Sequence, residues 1–261
     1  IFSVILVYLI VVAYIFFNQR KLLYLPSENN YLDDQIQFKY QEVFIETENN
    51  LRLKSWIIEK DLISKKTLVF FHGNAGNLSN RTYKLNQLNK FDINIIILAW
   101  RSFSGNKGEP TENNLYNDAR KTIEWLNTRG VKNKNIILYG ESLGTGVAVE
   151  LGQMNEFGGI ILESPFTSMT SAAKNIYPWL PVKYLLKDKY DSEKKIKNIK
   201  IPILIMHGKK DNIVPFEMGK KLYDLANNPK FFYFTENDDH MMTFDESLVN
   251  TIKNFLTFNP Q

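Results

Sequence analysis

Apolar residues along this chain fall in short unbroken runs separated by segments of helical spacing. The runs are TLVFFHG (67–73), INIIILAW (93–100), NIILYGES (135–142), GGIILES (158–164), IPILIMHG (201–208) and KFFYFT (230–235). Uninterrupted runs of this kind read as strands covered on both faces, as in a parallel sheet. The earlier stretch 42–59 differs: two alternating runs flank Asn49 and Asn50, which predicts an antiparallel hairpin.

Helical patterns fill the gaps. Segment 111–130 opens on Thr111 at a cap position, repeats Leu115, Ala119, Ile123 and Leu126 at helical intervals, and closes on Gly130. Segment 142–155 is small and apolar enough to lie tightly on a sheet. Segment 215–227 opens with Pro215, suited to a first turn, and 246–258 closes the pattern. Strands alternating with helices predict a mainly parallel, doubly wound α/β sheet with the hairpin at one edge.

Two segments fall outside the alternation. Residues 1–17 carry no charge and are followed by Arg20 and Lys21. That length is near the ~17-residue lower limit for a membrane span. A cleaved signal peptide would have a shorter apolar core and a small-residue exit, whereas here Phe16, Phe17, Leu22 and Leu23 crowd the exit. A buried core helix is the other reading, weaker because no polar face interrupts the segment. The expected organisation is therefore an anchor at 1–17, a lead-in at 18–41 and one α/β domain at 42–261. Arg20 and Lys21 by themselves favour a cytoplasmic side for the domain that follows, a bias that basic residues upstream would reverse. The second segment, 164–198, is a long insertion broken by Pro178 and Pro181, of the kind that forms lids. Its back half is rich in Lys, from Lys183 to Lys197, alongside Asp188, Asp191 and Glu193. It reads as a solvated face, with contact to an anionic bilayer as the sharper alternative.

Composition narrows the chemistry. There are 261 residues, enough for one α/β domain, and a net charge of 32 − 28 = +4 with dispersed Lys, which leaves no nucleic-acid footprint. With no Cys and three His, a Cys nucleophile, a Cys zinc site and a His-rich metal site are all disfavoured. No cofactor is expected.

The remaining candidate is a serine. Gly140-Glu141-Ser142-Leu143-Gly144 follows a strand and precedes a helix, which is the G-x-S-x-G nucleophile elbow. Gly140 and Gly144 flank a sharp turn where a Cβ would clash. A serine hydroxyl needs a base, and the base an orienting acid, in the chain order Ser, Asp or Glu, His. His240 lies between the last strand and last helix, at the edge where Ser142 projects, and is expected as the base. Asp211 in HGKKDNIVP is expected as the acid, with Asp238 and Asp239 as rivals. The N–H groups of Leu143 and Asn74, the latter in the Gly-rich loop HGNAGN, are the expected oxyanion donors. His72 is expected to tie that loop structurally.

The motifs HGNAGN, GESLGTGVA, ESPFTSM, YPWLPVKYLLKDKYDS, HGKKDNIVP and DDHMMTF together resemble the α/β-hydrolase superfamily of serine hydrolases. More closely, the chain is similar to the single-anchor membrane α/β-hydrolase domain-containing proteins. The resemblance implies Ser142, Asp211 and His240 as catalytic residues, and hydrolysis of ester or thioester bonds in lipids, acylated proteins or small esters. It also exposes a departure: Ser102 and Ser104 stand where relatives carry glycine, at a cost of about 1 kcal/mol each if φ there is positive. Arg101 is retained and expected as an ion-pair partner. The reading from another class is a catalytically silent scaffold on the same fold, permitted by fold alone.

Overall fold

A computed structural model describes residues 2–27 and 35–259. The part of the expected lead-in at 28–34 lies outside them. The described residues form an eight-stranded sheet. Its strands are β1 (Gln41–Glu46), β2 (Arg52–Ile58), β3 (Thr67–Phe71), β4 (Asn94–Leu98), β5 (Ile136–Glu141), β6 (Gly159–Glu163), β7 (Ile203–Gly208) and β8 (Lys230–Thr235). They lie in the order β8-β7-β6-β5-β3-β4-β2-β1. Only β2 runs against the rest, pairing antiparallel with β1 and β4.

The sheet is covered on both faces. Val69, Ile96 and Leu138 point into one core, where they meet Leu115 of α3 (Glu112–Asn127), Val147 of α4 (Leu143–Gly152) and Leu222 of α8 (Phe216–Leu225). Their strand neighbours Leu68, Ile95 and Ile137 point into the other core, against Leu85 of α2 (Thr82–Leu88) and Leu248 of α9 (Glu246–Thr257). This double burial is why the runs of β3–β7 carry no polar alternation; the expectation fails for β8, an edge strand that is partly buried and leaves Phe232 exposed. Thr111 caps α3 by accepting the Asn114 N–H at 3.1 Å. Pro215 sits just ahead of α8 rather than inside its first turn.

The first helix, α1, spans Phe2–Leu23, 22 residues, and so runs past the expected boundary at Phe17. Beyond it, Leu25 and Pro26 pair in parallel with Ala75 and Gly76, tying the lead-in to the Gly-rich loop after β3. The insertion folds as short helices α5 (Met169–Ile176), α6 (Val182–Leu185) and α7 (Ser192–Lys195). Several of its charges are paired within the protein. Lys195 meets Glu150 at 2.8 Å, Lys221 meets Glu193 at 2.8 Å and Arg20 meets Asp188 at 3.0 Å.

Candidate active site

Parallel strands bring the loops after β3, β5, β7 and β8 to one edge of the sheet; Asn74, Ser142, Asp211 and His240 sit in them, with Gly140 at the end of β5 and Leu143 and Gly144 at the start of α4. Ser142 stands between β5 and α4 with φ 49° and ψ −116°, a conformation that L-residues rarely adopt. The flanking glycines make room for it. A Cβ on Gly140 would lie 2.6 Å from the Gly144 carbonyl oxygen, and one on Gly144 would lie 1.9 Å from that of Phe71. Those obstacles are backbone atoms, which cannot rotate away.

His240 Nε2 is 3.0 Å from Ser142 Oγ, and His240 Nδ1 is 2.7 Å from Asp211 Oδ2. An ionised carboxylate only accepts, so Nδ1 carries the proton and Nε2 is free to accept from the serine hydroxyl. Several contacts hold the His240 loop. Ser164 Oγ donates to the His240 carbonyl at 3.0 Å. The 238–239 backbone lies so close to the end of β7 that a Cβ on Gly208 would come within 2.2 Å of the Asp238 carbonyl oxygen.

The Asp211 side chain is sealed from solvent. Its Oδ1 accepts the Ile213 and Val214 N–H groups at 2.9 and 2.8 Å, and its Oδ2 faces both His240 and His207, the latter at 3.1 Å. Burial pushes this carboxyl's pKa up, but the hydrogen bonds from His207, His240 and Val214 outweigh it and hold the pKa well below the usual carboxylate range. The rival Asp239 instead accepts the Met241 N–H in a local turn at 2.9 Å. The Asp238 carbonyl accepts the Lys210 N–H at 3.0 Å.

The Gly-rich loop is held from several sides. His72 is buried; its Nδ1–H donates to Gly73 O at 2.8 Å and its Nε2 accepts the Trp100 N–H at 3.3 Å. Burial, with Arg81 adding to it, lowers the His72 pKa to about 3, so the ring is neutral. The Asn74 side-chain amide donates to Leu23 O at 2.7 Å and its carbonyl accepts the Leu25 N–H at 2.8 Å; Asn74 lines the same cavity as Ser142 and Leu143. The Leu143 N–H belongs to the first turn of α4, where amides lack intrahelical partners.

Sequence reasoning missed a buried charge cluster beneath the elbow. Arg81 meets Glu141 at 2.8 Å, Lys84 meets Glu163 at 2.7 Å, and Lys84 also pairs with Glu141. The Glu141 carboxylate further accepts the Gly73 N–H at 3.3 Å, and Arg81 donates to Ala75 O. The strand carrying the serine is thus clamped to the Gly-rich loop. Burial raises the Glu141 pKa, but Arg81 and Lys84 outweigh that and hold it down. The available signal was a glutamate closing each of two apolar strands, β5 and β6. His207, the second partner of Asp211, was likewise unanticipated.

Ser102 and Ser104 both have positive φ, 68° and 55°. Each hydroxyl is used. Ser102 Oγ donates to Gly108 O at 2.6 Å, and Ser104 Oγ accepts the Leu78 N–H at 2.9 Å. Arg101 forms a two-point pair with Asp118 at 2.8 and 2.7 Å. Above Ser142 lies an apolar cavity of about 300 Å³, walled by α1, α5, α6 and the loop at Ile213 and Val214. Among the described residues, no group of three or more His, Asp or Glu is placed to hold a metal ion.

The model of the prolyl oligopeptidase family matches residues 101–258. An uncharacterized protein of Mycobacterium tuberculosis is 32% identical over 254 residues, covering 95% of this chain and 90% of its own length. The lysophosphatidylserine lipase ABHD12 of Danio rerio is 31% identical over 195 residues, 67% of this chain but 51% of that protein. Among solved structures, the Pyrococcus furiosus esterase Pf2001 superposes with a TM-score of 0.71 at 22% identity, over 89% of this chain and 97% of its own. The chain belongs to the prolyl oligopeptidase family, serine hydrolases built on the α/β-hydrolase fold.

Proposed function

We propose that this protein is a membrane-anchored serine hydrolase that cleaves carboxylic ester or thioester bonds of lipid-like acyl substrates through an acyl-enzyme. The observation that carries the reading is the hydrogen-bonded chain Ser142–His240–Asp211 at the base of an apolar cavity. In this reading Ser142 Oγ attacks the acyl carbonyl while His240 Nε2 takes its proton. Asp211 orients the ring and stabilises the imidazolium. The Asn74 and Leu143 amides receive the developing oxyanion, and a donor of this kind contributes roughly 10²–10³-fold in rate. Collapse of the tetrahedral adduct transfers the proton from His240 to the leaving oxygen or sulfur. Water, activated by the same imidazole, then releases the acid.

Two features support lipid-like substrates at a membrane. The cavity lining is predominantly apolar, which suits a hydrocarbon chain. Helix α1 is long and apolar enough to cross a membrane, with mean hydropathy 2.1 over its best window and little of that window buried. A relative named for its action on a lysophospholipid points the same way. The test is fluorophosphonate labelling of the full chain, followed by a chain-length series of acyl esters and thioesters. Labelling that disappears in Ser142→Ala, with turnover rising beyond acetyl, is the expected result. No labelling of folded protein defeats the hydrolase reading, and activity confined to acetyl esters defeats the lipid-like one.

A further inference from the structure

Half of α1 is not free. Residues 2–11 are exposed throughout, but from Val12 onward one face is covered, at Val12, Ile15, Phe16, Gln19 and Leu23. What covers much of it is the insertion. Gln19 is a polar residue on an apolar helix, yet it is nearly sealed from solvent. Its Oε1 accepts the Lys187 N–H at 2.8 Å, and its Nε2 donates to Leu185 O at 3.1 Å. A side-chain amide satisfied on both sides by the lid backbone fixes how the lid meets the helix. Arg20 adds its pair with Asp188 at 3.0 Å, and Tyr24 Oη lies 2.8 Å from Tyr190 Oη.

The lid also reaches along the helix. Tyr8 donates to the Trp179 carbonyl at 3.2 Å, and the two rings meet edge to face at 6.3 Å. From Tyr8 to Gln19 is roughly 16 Å of helix at 1.5 Å per residue. The lid residues Ile176, Tyr177 and Trp179 are all exposed beside this helix. Tyr and Trp so placed are the side chains that settle at the bilayer interface. The cavity over Ser142 lies between the same two elements. Ile15, Leu22 and Leu23 form its wall on α1, and Met169, Ile176 and Leu180 form its wall on the lid.

We propose that α1 is one wall of the acyl-binding site as well as an anchor, and that a single acyl chain enters sideways from the bilayer, between α1 and the lid, to reach Ser142. This rests on the hydrolase reading above. The exposed apolar rim of the lid is continuous with the exposed apolar half of α1, so its occupant is the hydrocarbon edge of the membrane. A chain taking this route stays among apolar groups from bilayer to serine, and avoids the penalty of carrying its methylenes through water. A cavity of about 300 Å³ is at the lower end for ligand sites and suits one chain rather than two.

The test uses the full chain in phosphatidylcholine vesicles with p-nitrophenyl esters from C4 to C16. Ile15→Trp narrows the wall, and the ratio of kcat/KM for C16 over C4 falls at least tenfold. Leu9→Trp, on the exposed half of the same helix, keeps the wild-type ratio. If Ile15→Trp no longer labels with fluorophosphonate, Ile15→Ala replaces it and shifts the preferred chain to a longer one. An unchanged chain-length profile in whichever variant labels overturns the α1 wall. For sideways entry, the fluorescence of Trp179, isolated by difference from Trp179→Phe, is quenched by lipids brominated on their acyl chains. No quenching places the lid rim in water and overturns that route. A wild-type protein that neither labels nor cleaves esters defeats the hydrolase reading itself, and the wall with it. An active wild type with an unmoved ratio defeats the wall alone.

Discussion

The Glu141 carboxylate, one residue before the candidate nucleophile, meets the Arg81 guanidinium at 2.8 Å in a site closed to solvent. Removing one partner of such a pair leaves the other charged, buried and uncompensated, which costs about 3–5 kcal/mol. Glu141 also holds the Gly73 N–H at the mouth of the Gly-rich loop. Glu141→Gln should therefore lower the urea midpoint sharply and, under conditions where the variant is still folded, reduce kcat more than it raises KM. A variant as stable and as active as wild type would show that the clamp is not needed.

Asp211→Asn keeps the shape of the acid but cannot demand a proton on His240 Nδ1. The imidazole then loses the tautomer that leaves Nε2 open to Ser142. Turnover should fall by roughly 10³–10⁴-fold with little change in KM. Stopped-flow acylation with a p-nitrophenyl ester checks this. Near-normal acylation would return the orienting role to Asp238 or Asp239.

Ser102 and Ser104 share a backbone strain but differ in what their hydroxyls do. Glycine at either position relieves about 1 kcal/mol. At Ser102 the lost bond is to a carbonyl at an exposed turn, so Ser102→Gly should stabilise by up to about 1 kcal/mol. At Ser104 the loss strips the buried Leu78 N–H of its acceptor, which costs about 1–3 kcal/mol. Ser104→Gly should come out destabilised. Paired urea titrations decide it, and two variants shifting in the same direction would contradict the argument.

The His72 ring is neutral in the folded state, with its pKa lowered to about 3 by burial and Arg81. Unfolded, it takes up a proton near pH 6.5. Between those values the unfolded chain binds more protons, so stability rises with pH and falls on acidification, by up to about 1.4 kcal/mol per unit from this one group. Asp211 and Glu141 have depressed pKa values. Their contribution is present above the unfolded carboxylate value and is lost only as pH falls below it. Of these three groups, only His72 therefore contributes to a loss of stability between pH 6.5 and 4.5. Unfolding free energies that stay level across that window would rule out a buried neutral ring.

What could be read in advance was what local pattern encodes. A strand buried on both faces is apolar along most of its length, so the runs of β3–β7 announced a parallel sheet; β8, at the sheet edge, is only partly buried in spite of its apolar run. A turn too tight for a Cβ must be glycine, so Gly140 and Gly144 marked the elbow. The docking of α1 could not be read this way. The helix is apolar all round as far as Phe17, and nothing in its pattern signals that Gln19 will be claimed by the lid backbone at Leu185 and Lys187.

Partnership between distant charges was equally hidden. Chain order and motif pointed to Asp211 but left Asp238 and Asp239 as rivals, and only the packing of the loop after β7 brings Asp211 to the His240 ring. Glu141 and Glu163 looked like strand ends until Arg81 and Lys84 arrived from the other side of the Gly-rich loop. Periodicity records whether a position is buried, because burial is repeated along an element. It carries no record of which side chain will stand opposite, since that is settled only when the chain closes on itself.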